Sequence, residues 1–355
     1  MLIRVESLPE FVESGENMAR KRNRKTASLR HNTVIAILLV VVAVLAFVNN
    51  PNRVYQWLGL DFLSSSSENN SSLPQSAPSL SDNEDFMEVH FLDVGQGDSQ
   101  LIKIFTPNTP KKYFTILIDA GEYQHADDVI AYLQNQNIQM LNVVVATHPH
   151  ADHIGAMSKI IQNFDIGTFY MPVLEDDQTP TTKSYEAMLD ALLDRNVHVE
   201  DIHAGTYIDT PIGSKIEVLS PKKKERYENI NNYSAVMRLT YGENSFLFTG
   251  DAEKEVENDI LDQYFDIQSQ VLACGHHGSS SSTTENFLEA VAPTYAVISS
   301  EKGNSYGHPH KETLATLNRS EVEILRTDTL QTIVITSDGK NLTVRTHQPS
   351  ARKTD

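Results

Sequence analysis

Four side chains able to hold a metal fall within six consecutive positions, His148-Pro149-His150-Ala151-Asp152-His153, directly after the apolar run Leu141 to Thr147 (LNVVVAT). No other feature narrows the fold so far. The run reads as a buried strand, too continuously apolar to keep one face in water. Neutral imidazole nitrogens and a carboxylate are the donors that a borderline divalent cation takes. On an extended turn, alternate positions let His148 and His150 converge on one ion while Asp152 and His153 point to another. A histidine tract without function belongs in low-complexity sequence, whereas this one closes a strand.

Two further strand ends carry donors. The stretch Ser245 to Asp251 (SFLFTGD) ends an apolar strand on an aspartate, where one carboxylate could bridge two ions and Gly250 permits close approach. The stretch Val271 to Ser279 (VLACGHHGS) repeats the pattern with paired histidines. Adjacent imidazoles on a glycine-flanked turn cannot easily share one ion. His276 is therefore assigned to the metal and His277 to proton transfer or to orienting a ligand, and sequence alone leaves the two exchangeable. The expected ligands are His148, His150, Asp152, His153, Asp251 and His276, around two divalent ions, zinc or manganese. Such donors accept zinc, manganese and iron alike. Cys274, the only cysteine, leaves no intramolecular disulfide or thiolate cluster and reads as a small core side chain.

A chain of 355 residues, 40% hydrophobic and 21% charged, suits one catalytic-sized domain with appendages. Residues 1–32 hold a basic cluster from Arg20 to Arg30, and residues 33–50 begin with sixteen uncharged positions, Thr33 to Val48. This run is just under the usual membrane span of about 17–25 residues. With about thirty residues ahead of it and no clear cleavage site behind, an uncleaved single-pass anchor is expected rather than a signal peptide. Positive-inside placement then puts 1–32 in the cytoplasm and the rest outside the membrane. Residues 51–85 include SSSSENNSSLPQSAPSLSDNED, too poor in large apolar side chains to offset its ordering entropy, and read as a flexible stalk. The globular domain is expected over 86–346, with a polar tail at 347–355.

The formal charge of -18 hides an asymmetry: seven of the 29 Lys/Arg and four of the 47 Asp/Glu lie before position 49, leaving 22 basic and 43 acidic residues. A domain that acidic repels polyanions at long range, so nucleic acid could bind only through a local patch or bound cations.

Period-2 alternation and apolar runs predict strands at Met87 to Val94, Gln100 to Phe105, Phe114 to Ile118, Lys215 to Leu219, Ala235 to Tyr241, Ser245 to Thr249 and Tyr295 to Ser299. Helical spacing marks Asp127 to Gln136, Ser184 to Asn196 and Lys254 to Tyr264. A hairpin is expected about Asp338-Gly339. Strands and helices in this mixture, with polar clusters after strand ends, predict an α/β fold with helices covering one or two sheets.

Together the motifs resemble the metallo-β-lactamase fold, and more narrowly the hydrolase domain of ComEC-type DNA-uptake proteins. The resemblance runs from about Met87 to Gly339 and rests on LDVGQGD (Leu92 to Asp98), IDAG (Ile118 to Gly121), the HPHADH hexad, FTGD (Phe248 to Asp251), HHGS (His276 to Ser279) and YGHP (Tyr306 to Pro309). It implies an αββα sandwich with the metals at one edge, and places Asp119 and Asp98 behind the ligands as orienting groups. It also implies metal-assisted hydrolysis, best suited to a phosphodiester such as single-stranded DNA, and a connection with DNA-uptake machinery. Catalytic roles fall to His277 and Asp152. Ser279, His308 and Asn231 are expected to contact substrate, His308 orienting it or protonating its leaving group.

Three departures stand out. The fold usually supplies another histidine between the hexad and the bridging aspartate, where this chain offers only His198 and His203, while Asn231-Asn232-Tyr233-Ser234 occupies the place of the family's Asn/Ser motif. A late glycine is replaced by Leu330-Gln331. ComEC-type proteins carry many membrane helices, whereas one is expected here, as in a stand-alone relative without a channel. Two other functions compete: hydrolysis of another extracellular ester, such as a phosphorylcholine ester or a lactone, and a non-catalytic metal-containing assembly module. A structural site is normally closed by four fixed ligands, and an under-coordinated one argues against the module.

Overall fold

The computed structural model describes residues 86–105, 113–211, 213–264 and 266–347. The expected membrane anchor and stalk lie outside the described residues. Among the described residues no helix is long and apolar enough to cross a membrane.

Two sheets form the centre. The first comprises β1 (Met87–Phe91), β2 (Gln100–Phe105), β3 (Tyr113–Ile118), β4 (Met140–Val145), β5 (Asp165–Met171), β6 (His198–Asp201), β14 (Thr332–Ser337) and β15 (Leu342–His347), in the order β15-β14-β1-β2-β3-β4-β5-β6. The second comprises β7 (Tyr207–Ile208), β8 (Ser214–Ser220), β9 (Val236–Tyr241), β10 (Asn244–Phe248), β11 (Val271–Ala273), β12 (Tyr295–Ile298) and β13 (Glu323–Arg326), in the order β13-β12-β11-β10-β9-β8-β7. Strands β3 to β6 run parallel to one another, as do β10 to β13.

Period-2 alternation explains the layering. On β3, Ile116 and Ile118 enter the core between the sheets while Leu117 enters a second core under the helices. On β10, Phe246 and Phe248 face the other sheet and Leu247 faces the opposite helical layer. Each strand is thus apolar on both faces, which is why these segments read as runs. Over the first sheet lie α1 (Ala126–Asn135), α2 (Ala151–Ile154), α3 (Met157–Asn163) and α4 (Lys183–Asp194); over the second lie α5 (Lys254–Gln263), α6 (Glu285–Val291) and α7 (Lys311–Arg319). Helix α1 buries Ala126, Val129 and Leu133, one stripe of a 3.6-residue period, and opens with Asp127 and Asp128 against its N-terminal dipole. The result is the expected αββα sandwich.

The late-glycine departure has a visible consequence. After the short helix α8 (Thr327–Leu330), Gln331 adopts φ 59° and ψ -148°, a region where glycine is the ordinary residue. Its side chain is exposed, so little packing is lost on removing it. Gln331→Gly is expected to relieve strain of order 1–3 kcal/mol against about 1 kcal/mol of added unfolded-state entropy. Thermal unfolding should rise by a few degrees; a midpoint equal to or below the parent's would show that the turn carries no strain.

Candidate metal centre

The donors gather where strands of both sheets end. β4 delivers the hexad, β3 delivers Asp119, β10 delivers Asp251, and β11 delivers His276 and His277. Ligands in parallel α/β sheets bind outside the carboxyl ends of the strands, because there the chain must leave the sheet and loops can converge. Gly97 brings the β1–β2 loop onto the hexad: a Cβ there would sit 2.2 Å from the Asp152 carbonyl oxygen, the residue has φ 138°, and the Asp98 amide donates to that same oxygen at 3.2 Å. No side chain fits at this position.

Within the hexad, His150 is extended and α2 begins immediately after it, so Asp152 and His153 leave the turn in other directions. His148 Nε2 and His150 Nδ1 lie 3.0 Å apart. Asp251 divides its carboxylate. Its Oδ2 faces His148 Nε2 at 3.7 Å and His276 Nε2 at 3.6 Å, while Oδ1 faces His153 Nε2 at 3.1 Å and His277 Nε2 at 3.6 Å. Two donor groups therefore share one aspartate: His148, His150 and Asp251, and Asp98, His153, Asp251 and His277, each with ligand atoms mutually within 4.8 Å. Asp152 Oδ2 reaches the second group at 3.2 Å from His277 Nε2.

Ring orientation is fixed from behind. His153 Nδ1 donates to Asp119 Oδ2 at 2.7 Å, and Asp119 also accepts from the Thr147 amide and hydroxyl at 2.8 and 2.6 Å. With its proton given to Asp119, the Thr147 hydroxyl can accept from His148 Nδ1 at 3.2 Å. His277 Nδ1 donates to the Ser299 carbonyl at 3.1 Å. Each of these rings consequently turns its Nε2 toward the centre, the orientation that a metal ligand requires. His276 follows the same plan, with Nδ1 3.5 Å from Glu253 Oε1 and 3.2 Å from Ser281 Oγ. Consecutive His276 and His277 have φ 52° and 55°. Two left-handed non-glycine residues in succession are strained, and this backbone sends the two rings to opposite oxygens of Asp251.

The residues fit a pair of cations. His153 Nε2 and Asp251 Oδ1 are buried and meet as a close ion pair with no aligned hydrogen bond, and Asn231 Oδ1 is buried without a hydrogen-bond partner. Burial pushes the His277 imidazole down, but the carboxylates of Asp251, Asp152 and Asp98 overcome it and raise it to about 9. His153 is likewise lowered by burial, yet Asp251, Asp119 and Asp152 hold it well above the ordinary histidine value. Protons thus fill a centre whose charge balance calls for cations. Burial instead lowers His148 and His150.

A stability profile follows from these directions. Groups held protonated above their unfolded value, His277 and His153, stabilise the metal-free fold fully below pH 6.5; the His277 contribution is lost as pH rises through about 9, and that of His153 well above the ordinary histidine range. For His277 the shift corresponds to about 3 kcal/mol. His148, His150 and His308, lowered by burial, stabilise above pH 6.5 and lose that contribution on acidification. Chelator-treated protein is therefore expected to be most stable near pH 6.5 and to weaken toward pH 9, with the alkaline loss abolished by added zinc or manganese. Thermal unfolding across pH with and without chelator checks this, and a metal-free midpoint that climbs toward pH 9 would refute it.

The remaining expected residues take distinct places. Asp98 lies among the donors rather than behind them, and burial raises its carboxyl. Asp119 stands behind His153, on the side of the ring away from the donors. Asn231 Nδ2 is 3.5 Å from His276 Nδ1. The Ser279 hydroxyl is engaged with Ser281 and reaches His276 only through it. His308 sits beside the centre, its ring 5.6 Å from His276. Burial, and then the neighbouring histidines, lower His308 to about 4, so at neutral pH it is suited to orient substrate and not to protonate a leaving group. His198 and His203 pair with Glu200 and Asp201 at the β6 edge of the first sheet. Burial pushes the Cys274 thiol up to about 12, in keeping with a core role.

Sequence reasoning did not single out Ser234, Glu253 or Ser299. Ser234 Oγ lies 3.3 Å from His148 Nδ1 and accepts from the Asp251 amide at 3.0 Å, joining both donors. The Asn/Ser motif was the available signal for it. Ser299 acts through its carbonyl, which no residue type announces.

An αββα sandwich with a divided aspartate and histidines at its strand ends defines a metal-dependent hydrolase fold, and the chain belongs to the metallo-beta-lactamase superfamily, whose family model matches residues 112–300. Among its relatives, ComE operon protein 3 of Bacillus subtilis (strain 168) is 31% identical over 262 residues, 69% of this chain and 32% of that protein. Competence protein ComA of Neisseria gonorrhoeae is 37% identical over 117 residues, 33% of this chain and 17% of that protein. Recombination protein 2 of Haemophilus influenzae is 30% identical over 239 residues, 65% and 26% of the two. The chain spans a third or less of the length of these curated relatives.

Proposed function

We propose that the chain is a membrane-anchored, extracytoplasmic phosphodiesterase that cuts single-stranded DNA and serves DNA uptake. The observation that carries the reading is the division of Asp251 between two donor groups. His148, His150 and His276 would hold one cation, and Asp98, Asp152, His153 and His277 the other, with Asp251 shared. On this assignment the adjacent histidines serve different ions, and His276 answers for the histidine missing between hexad and aspartate. Two divalent cations, zinc or manganese, supply Lewis acidity and a water acidic enough to attack near neutral pH.

The chain's own residues do the rest. Asp119, the Thr147 hydroxyl and the Ser299 carbonyl fix the ligand tautomers. His308, held by Gln96 Nε2 at 3.4 Å, would orient a substrate oxygen, and the unpaired Asn231 Oδ1 would accept a hydrogen bond. The relatives named for competence and recombination support the DNA role, and the apolar run in 33–50 supports the anchor.

One observation favours a small or cationic extracellular ester instead. Beside the hexad, burial raises Glu122, which also feels Asp152 and Glu301, and Glu301 in turn acts on Asp93, itself raised by burial. Acidic groups so placed oppose a polyanion. The test offers single-stranded DNA and bis-p-nitrophenyl phosphate to the full-length chain in detergent, with zinc or manganese, beside His153→Ala. Metal-dependent DNA cleavage that the variant lacks is the expected result. Turnover of the small ester alone would transfer the assignment to that class, and turnover of neither would remove the phosphodiesterase reading.

A further inference from the structure

The acidic residues near the centre raise the question of what could hold a strand there. Charge attraction is not available from Glu122, Glu301 or Asp93, and the domain after residue 48 is strongly acidic. Contact with bases avoids this obstacle, since a base presents an uncharged π-face whatever the sequence.

One ring is placed for such contact. Tyr306 is 66% exposed and lies nearly parallel to His308, with centroids 5.7 Å apart and planes at 21°. His308 in turn stands 5.6 Å from His276 and 6.2 Å from His277. One ring therefore separates Tyr306 from the donors. The loop beneath it is organised by Asn304, whose Nδ2 donates to the carbonyls of Glu301 and His308 at 2.8 and 2.6 Å, and whose Oδ1 accepts from the amides of Tyr306 and His308 at 3.1 and 3.0 Å. An isolated surface tyrosine needs no explanation. A tyrosine at the edge of a metal centre, on a loop tied by four hydrogen bonds, presents its ring with little ordering left to lose on binding.

We propose that Tyr306 is a stacking platform for the base flanking the phosphodiester held at the centre, and so makes the enzyme selective for base-bearing strands. The proposal rests on the phosphodiesterase reading. Recognition comes from ring stacking, which by alanine substitution is worth about 1–3 kcal/mol per base, rather than from phosphate contacts that the acidic groups oppose.

The test uses the full-length chain in detergent with manganese. The probes are a thymidine hexamer, an abasic deoxyribose-phosphate hexamer and p-nitrophenyl phosphorylcholine, taken as KM where a probe is cut and as Kd by anisotropy or competition where it is not. The parent is expected to favour the thymidine hexamer over the abasic one about tenfold. Tyr306→Ala should reduce the preference below about twofold by weakening only the base-bearing probe, and Tyr306→Phe and Tyr306→Trp should retain it. A preference that survives Tyr306→Ala overturns the proposal. So does equal weakening of both hexamers, which would mean that the ring only supports His308, and so does an effect confined to the phosphorylcholine ester. If the preference depends on Tyr306 but no strand is cut, hydrolysis falls and the platform stands; cutting without base preference gives the reverse.

Discussion

Asp251→Ala is expected to lower turnover by at least about 1000-fold, equivalent to about 4 kcal/mol in the barrier, while the chain still folds. The size follows from its position: each carboxylate oxygen faces different histidines, so one substitution removes a donor from both groups. Metal content should fall as well, and the His277 imidazole, raised by Asp251 before any other residue, should return toward its ordinary value. Elemental analysis beside turnover reads both effects. Full metal content with undiminished rate would take Asp251 out of the centre. Retained circular dichroism is expected, because its backbone amide still bonds the Ser234 hydroxyl.

Asp119→Ala should act on a different balance. This carboxylate is fully buried and accepts from His153 and twice from Thr147. Removing one partner of a buried, hydrogen-bonded pair typically costs about 3–5 kcal/mol, and loss of the group that orients a ligand typically weakens metal binding by about 10–100-fold. Thermal unfolding and chelator competition measure the two losses separately. Asp119→Asn keeps the volume, so its stability should recover in part, yet an amide cannot replace the charge facing His153 and metal affinity should stay low. Should Asp119→Asn bind metal as the parent does, the orienting role would belong to packing alone.

Much of the architecture was legible because each local pattern agreed with the final layers. β2 and the helix Lys254–Gln263 fall within a residue of the expected segments, since their apolar spacing is set by burial on fixed faces. The stretch VHVEDIHAG around His198 and His203 reads as strand and loop, and the edge strand β6 forms there, although it is exposed along its length and no alternation marks it. No expected segment covers the helices Glu285–Val291 and Lys311–Arg319, because both are short and the second buries only Thr313 and Leu317. The late turn is legible because a glycine position filled by Gln331 produces a positive-φ residue without a glycine.

At the centre, the donor types and their strand ends are readable from the chain alone: the hexad after β4, Asp251 after β10 and the paired histidines after β11. These are local facts, set by residues within one turn of each other. Which donors meet was decided only by the tertiary structure. Asp152 and His277 stand 125 positions apart and Ser234 and His148 stand 86 apart, so their approach depends on two sheets packing face to face. The roles of His276 and His277 were undecidable for the same reason. Their assignment depends on two successive left-handed residues and on which oxygen of Asp251 each ring then faces, and that geometry is fixed by the surrounding packing rather than by any spacing along the chain.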